Sequence, residues 1–245
     1  MRIFIIRHGD PDYANDTLTE KGHREAQLLA QKLSKEKIDY IYCSPLGRAQ
    51  HTCAYTAKAL GMEDKVVTVP LFREFNCEKS VVLPSGVERH LLWDMLPEFW
   101  TPEKIMYDSE NWSKHPAFNH GQMPAHYQEV VACLDEIIAR HGYKREGNVY
   151  RVERENTDTV AIFCHFGLEM MLMSRLCDIS PVLLTHHFIA VPSALTTLYT
   201  EERREGTATF RCCGFGDTGH LYAGGEKPSF SGRFCEVFHS EDRHD

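Results

Sequence analysis

Two apolar runs in this chain end on a histidine. Ile3-Phe4-Ile5-Ile6 stops at Arg7-His8-Gly9, and Val160-Ala161-Ile162-Phe163-Cys164 stops at His165. Between them, a short apolar run from Ile38 to Cys43 leads into Ser44-Pro45 and on to Arg48, while Val66-Val67-Thr68-Val69 is followed by Glu74. In open α/β sheets, ligands bind outside the carboxyl ends of the strands. If these runs are parallel strands, one rim of the sheet gathers two arginines, two histidines and a carboxylate. That set suits phosphoryl transfer through a covalent phosphohistidine: a neutral imidazole attacks, guanidiniums hold the phosphoryl oxygens, and an acid protonates the leaving oxygen.

The elements that must position these groups can be read around them. Ile3 to Ile6 reads as a strand buried on both faces. Asp10 to Asp16, rich in Asp, Pro and Asn, is a loop over its end. Thr19 can cap a helix whose stripe is Ala26, Leu29, Ala30 and Leu33. Ser44-Pro45 reads as a helix start, with Ser as the cap and Pro in the first helical position, which puts Arg48 in the first turn beside unpaired amides. A third strand, Val66 to Val69, closes at Pro70.

From Phe75 to Pro124 the α/β rhythm stops, so an inserted lid is expected there. It carries Trp93, Trp100 and Trp112, which are expected to form a small core of their own with Leu91, Leu92, Met95, Leu96 and Phe99. A helix follows over Ala125 to Arg140, then strands over Asn148 to Glu153 and Thr159 to Cys164 joined by the turn Glu155 to Asp158. A helix through Leu168, Met171, Leu172 and Leu176 comes after His165. Ala194 to Thr200 and Ala208 to Cys213 are the last strand candidates, separated by a charged turn, and Ser240 to Asp245 reads as disordered. This alternation predicts an α/β fold: a three-layer α/β/α sandwich with a mostly parallel central sheet. A single domain over 1–245 would hold the lid at 75–124 and a C-terminal tail at 223–245.

Composition narrows the partners. With 245 residues, 42% hydrophobic and a formal charge of −8, the chain is an ordinary globular one and no match for nucleic acid or an anionic membrane. No run approaches the length of a membrane span and no signal-peptide core opens the chain, so a cytoplasmic location is expected. The nine cysteines form no C-x-x-C pair and the 14 histidines no H-E-x-x-H. Neither a metal nor another cofactor is expected, and the partner should be small.

These motifs carry a resemblance. Arg7-His8-Gly9, Ser44-Pro45-Leu46-Gly47-Arg48-Ala49 with Thr52, Leu71-x-x-Glu74 and Cys164-His165-Phe166-Gly167 resemble, in order and spacing, the histidine phosphatase superfamily, also called phosphoglycerate mutase-like. Leu18-Thr19-x-x-Gly22 with Gln27 looks like that family's first-helix signature, and the match spans Met1 to Leu221. The resemblance implies a metal-independent enzyme in which His8 is the nucleophile and Arg7, Arg48 and His165 form the phosphate pocket. Gly9 would let the backbone approach and lend a carbonyl to fix the His8 tautomer. Glu74 would be the proton donor and then the base that activates water.

Two departures matter. Phe166 stands where the acid-phosphatase branch has a catalytic Asp and the mutase-like branch a glycine. Near the position where the latter usually has an Asn, the chain offers Asn15, with Asp10 a further candidate for the pocket. The earlier Glu as donor points to the mutase-like branch. Within it a mutase needs extra cations in its lid, whereas residues 75–124 hold seven Asp or Glu against four Lys or Arg. Hydrolysis of a small phosphorylated metabolite is therefore expected ahead of phosphoglycerate mutase-type transfer, a protein phosphohistidine phosphatase, or a non-catalytic phosphate-binding module.

Overall fold

The computed structural model describes residues 1–76, 81–83, 86, 88–89, 91–118, 122–230, 234–240, 242 and 244. Eight strands form one sheet: β1 Arg2–Arg7, β2 Tyr40–Cys43, β3 Val66–Thr68, β4 Tyr143–Glu146, β5 Val149–Val152, β6 Thr159–Cys164, β7 Leu195–Arg204 and β8 Thr207–Asp217, in the order β3-β2-β6-β1-β7-β8-β5-β4. Six helices are named here: α1 Glu20–Leu33, α2 Gly47–Leu60, α3 Met123–Arg140, α4 Phe166–Cys177, α5 Pro181–His187 and α6 Gly219–Gly224.

The first half of the sheet, β3-β2-β6-β1, is parallel, and the second half is antiparallel. β1 shows how helices cover the sheet on both faces. Phe4 and Ile6 pack with Leu29 and Leu33 of α1 and Ala49 and Cys53 of α2. Ile3 and Ile5 face the other way, into the core that holds Val130 and Leu134 of α3 and Leu168 and Leu172 of α4. A strand covered by helices on both faces needs apolar residues at every position, and β1 and β6 have nearly that.

Three expectations need correction. Asn148 to Glu153 does not pair with Thr159 to Cys164; β5 pairs with β4 and β8. The reason is polarity: β6 is buried at all six positions and takes the centre, whereas β4 and β5 each bury only one residue of four and suit the edge. Ser44 does not cap α2, which starts at Gly47 with Leu46 as an N-cap lacking a side-chain bond. The lid tryptophans do not form a core of their own. Trp100, Trp112 and Phe118 belong to the same apolar core as α3 and α4, with Trp112 edge-on to both Phe118 and Tyr127 at 5.2 Å.

What was expected of residues 77–80, 84–85, 87, 90 and 119–121 in the lid, and of 241, 243 and 245 in the tail, lies outside the described residues. Among the described residues, no helix is long and apolar enough to cross a membrane. The eight described cysteines are free thiols, and Cys43, Cys53 and Cys164 are buried.

Candidate active site

Strand register assembles the site. Arg7 is paired with Cys164 in the parallel β1–β6 ladder, and the His8 amide continues it by donating to the Cys164 carbonyl at 3.0 Å. The next residue on each strand is a histidine, so His8 and His165 lie side by side with ring centroids 5.1 Å apart. β2 runs parallel on the far side of β6, and the Ser44 amide donates to the Phe163 carbonyl at 2.9 Å. Ser44 thus lies beside His165, Oγ to Nε2 at 2.7 Å. β3 leads through the turn at Pro70–Phe72 to Glu74, whose Oε1 accepts from the amides of Phe75 (2.8 Å) and Leu168 (3.2 Å) at the start of α4.

The nucleophile candidate has a defined tautomer. His8 Nδ1 lies 2.7 Å from the Gly9 carbonyl, which can only accept, so Nδ1 carries the proton and Nε2 the lone pair. Gly9 could not be another residue: a Cβ there would stand 2.7 Å from the Gly22 carbonyl oxygen of α1. The Gly9 amide donates to Thr52 Oγ1 at 3.0 Å, and the Thr52 hydroxyl donates to the Arg48 carbonyl at 2.8 Å. Both arginines are held from behind. Arg7 Nη1 donates to the Ala190 carbonyl at 2.5 Å, and Arg48 Nη1 donates to Asp16 Oδ1 at 2.7 Å. Nε of each arginine and Nδ1 of His165 are buried without a protein partner.

The pocket is dry and cationic, and its titrations follow. His8 is pushed down to about 3 by burial and by the Arg7 guanidinium, with Arg48 adding to it against the pull of the Gly9 carbonyl. His165 is held well below its ordinary value by burial, by His8 and by the two arginines. Both imidazoles are neutral at neutral pH. Burial raises Glu74 above the ordinary carboxylate range, against the opposing pull of the Phe75 amide, Arg7 and the Leu168 amide. One helical turn past His165, Glu169 is fully buried, and burial pushes it up to about 8.

An aromatic rim borders the pocket. Partly exposed Trp93 meets the Phe166 ring edge-on at 5.2 Å, and the Arg7 guanidinium lies 5.6 Å from the same ring. Trp93 also covers Gly167, where a Cβ would come within 2.5 Å of its ring and 2.8 Å of Glu74 Oε1. Exposed Tyr13 lies 5.3 Å from the Arg48 guanidinium.

Of the residues singled out in the sequence, Arg7, His8, Gly9, Arg48, Glu74 and His165 all stand around this one rim. Asn15 does not join them: it is exposed, and its amide donates to Asp12 Oδ2 at 2.8 Å. Its neighbour Asp16 reaches the site instead, gripping Arg48 and the Gly47 amide at 2.7 Å each. Asp10 is turned the other way, accepting from the Thr19 hydroxyl at 2.6 Å. Sequence reasoning missed Asp16, Ser44 as the partner of His165, and Trp93. Ser44 could have been found, since a serine ending the strand next to β6 faces whatever ends β6. Among the described residues, no group of three or more His, Cys, Asp or Glu is placed to hold a metal ion.

A parallel half-sheet whose strand ends bring two neutral histidines and two arginines together defines an α/β protein with a cationic site at one rim of its sheet. The chain belongs to the histidine phosphatase superfamily (branch 1), whose model matches residues 3–211. It is 26% identical over 158 residues to phosphoserine phosphatase 1 of Hydrogenobacter thermophilus, covering 58% of this chain and 66% of that protein. It is 31% identical over 123 residues to the probable phosphoglycerate mutase GpmB of Serratia proteamaculans, covering 46% of this chain and 48% of that one. The chain thus spans from about half to just under two thirds of the length of these curated relatives. Among solved structures, phosphoserine phosphatase of Entamoeba histolytica in complex with 3-phosphoglyceric acid shares the fold (TM-score 0.57, 22% identity, 90% of this chain and 98% of that one). Mycobacterial glucosyl-3-phosphoglycerate phosphatase does so too (TM-score 0.56, 18% identity, 89% and 99%).

Proposed function

We propose that this protein hydrolyses a phosphomonoester of a small metabolite through a covalent phosphohistidine on His8. The observation that carries the reading is the parallel register that sets a neutral His8, with its lone pair on Nε2, beside His165 and within the influence of two arginines. Arg7, Arg48 and His165 hold the phosphoryl group. A hydroxyl proton from Ser44 to Nε2 of His165 would leave Nδ1 as a donor to a phosphoryl oxygen. His8 Nε2 attacks phosphorus as the ester oxygen departs, taking its proton from Glu74. Glu74, now a carboxylate, removes a proton from water. The hydroxide attacks the phosphohistidine and releases phosphate and free His8. Preorganised guanidiniums in a dry pocket supply the charge stabilisation, so no metal is needed.

The raised Glu74 supports its role as the acid, and the likeness to phosphoserine phosphatase 1, with a glucosyl-3-phosphoglycerate phosphatase sharing the fold, supports hydrolysis of a small phosphorylated metabolite. The rim of Trp93, Phe166 and Tyr13 favours a leaving group with an apolar or planar part. A panel of phosphorylated metabolites, assayed with wild type and His8→Ala, with and without a bisphosphate primer and a chelator, tests the reading. Phosphate release that needs His8 and ignores both additives is expected. Unchanged release by His8→Ala would overturn the mechanism, primer-dependent isomerisation without net hydrolysis would favour the mutase, and loss on chelation would overturn metal independence.

A further inference from the structure

Buried Glu25, outside the pocket on α1, is tied to the catalytic rim by a single peptide unit. The carbonyl of the Gly9–Asp10 peptide is the group that holds His8 Nδ1 at 2.7 Å. The N–H of that same peptide donates to Glu25 Oε2 at 2.8 Å. Hydrogen bonds at the two ends of one amide polarise each other, so an acceptor at the N–H makes the carbonyl a stronger acceptor for Nδ1–H. It also fixes the plane of the amide, and with it the direction in which the carbonyl points at the imidazole.

Glu25 is itself held by a segment distant in sequence. It is fully buried, and its Oε1 accepts from the Ser229 hydroxyl at 2.6 Å, with Ser229 only 5% exposed. Two further contacts lay the segment Glu226–Ser229 across α1, and a third holds the residues just before it. Lys21 Nζ donates to the Pro228 carbonyl at 3.2 Å, Arg24 pairs with Glu226 at 2.9 Å, and Gly224 is so close to Leu28 that a Cβ would stand 2.4 Å from its side chain.

We propose that Glu25 is a positioning residue for His8, acting through the Gly9–Asp10 peptide, and that the strap Glu226–Ser229 holds it in place. The proposal rests on the reading of His8 as nucleophile. Glu25 touches neither substrate nor the reacting atoms; it orients the carbonyl that orients the imidazole.

The test uses the whole chain and four variants, with kcat and KM measured beside the ¹⁵N and Nδ1–H resonances of the His8 ring. Misplacing a reacting group by a fraction of an ångström is costly, so Glu25→Ala should lower kcat by about 10- to 100-fold with KM little changed. The His8 Nδ1–H signal should shift or broaden with it. Glu25→Gln keeps an oxygen for the Asp10 amide and should restore most of kcat and the signal. Ser229→Ala, a smaller change, should give a partial loss in the same direction, and it keeps the proposal testable should Glu25→Ala fail to fold. Wild-type kcat in folded Glu25→Ala or in Ser229→Ala would overturn the proposal, as would a lower kcat with an unmoved His8 resonance, which marks a merely structural effect. The fourth variant, His8→Ala, separates the two readings: if it still hydrolyses substrate, the nucleophile assignment fails, while the resonance shift caused by Glu25→Ala stands or falls on its own.

Discussion

His8 and His165 are two neutral imidazoles in one pocket, and the partner of each ring nitrogen separates their work. His8 gives Nδ1–H to a carbonyl and keeps a lone pair on Nε2, whereas His165 spends Nε2 on the Ser44 hydroxyl and leaves Nδ1 without a protein partner. Ser44→Ala removes the group that fixes the His165 tautomer. Loss of one such buried partner costs about 1–3 kcal/mol, so inhibition by orthovanadate should weaken by roughly fivefold or more. Glu74 makes a prediction in pH. In the proposed mechanism its proton is needed for the first step, and burial raises its pKa, so the acid form should persist above the ordinary carboxylate range and kcat/KM should fall as pH rises through the raised value. Glu74→Gln should lower kcat by about 10²- to 10⁴-fold for substrates with poor leaving groups and erase that limb of the pH profile. A limb that survives the substitution would assign the proton donor elsewhere.

At the scale of elements, the catalytic strand end is locked to the first helix by backbone contact. Gly22 of α1 sits so close to the loop that a Cβ would stand 2.2 Å from the Asp10 carbonyl oxygen, and Gly9 meets Gly22 from the other side. Because the obstacle is backbone, Gly22→Ala must push α1 and the Gly9–Asp10 loop apart, at a cost of about 1–3 kcal/mol. It should lower Tm by several degrees and kcat more than KM, read by calorimetry and steady-state kinetics on the same sample. The same elements show what the sequence made legible. β1 and β6 could be read because burial on both faces writes itself as unbroken apolar runs, and α1 because Thr19 caps it and its stripe has helical period. The β4–β5 hairpin was misplaced because its few buried residues resemble any short alternating segment. Ser44 was misread because a cap and a strand-end hydrogen bond call for the same residue type, and only the β2–β6 register decides between them. The resemblance points to Asn15, with Asp10 beside it, whereas the loop, with Asp16 at a φ of 48°, turns Asp16 onto Arg48.

For the molecule as a whole, the same buried groups set how stability depends on pH. Burial holds five histidines, His8, His141, His165, His186 and His220, below the ordinary 6.5, with His8 at about 3 and His220 at about 4. Below pH 6.5 the unfolded chain takes up protons that the native state refuses, so their contribution is complete above 6.5 and is lost as pH falls. Glu169 has the opposite sign. Its folded pKa of about 8 lies above the ordinary 4.5, so between these values the native state keeps a proton that the unfolded chain releases, and stability falls as pH rises. Glu25 and Glu74, raised by burial as well, act in the same direction as Glu169, so between 4.5 and 6.5 five histidines oppose three glutamates and the histidines win; above 6.5 the loss from Glu169 continues. The midpoint of urea unfolding should therefore fall as pH drops below 6.5, and Glu169 alone should remove about 2 kcal/mol between 6.5 and 8 at ~1.4 kcal/mol per unit. Glu169→Gln, neutral at every pH, should flatten the alkaline side and leave the acid side in place. A pH dependence between 6.5 and 8 that is the same in wild type and Glu169→Gln would show that Glu169 is ionised inside the fold, with Arg7 close enough to hold its charge.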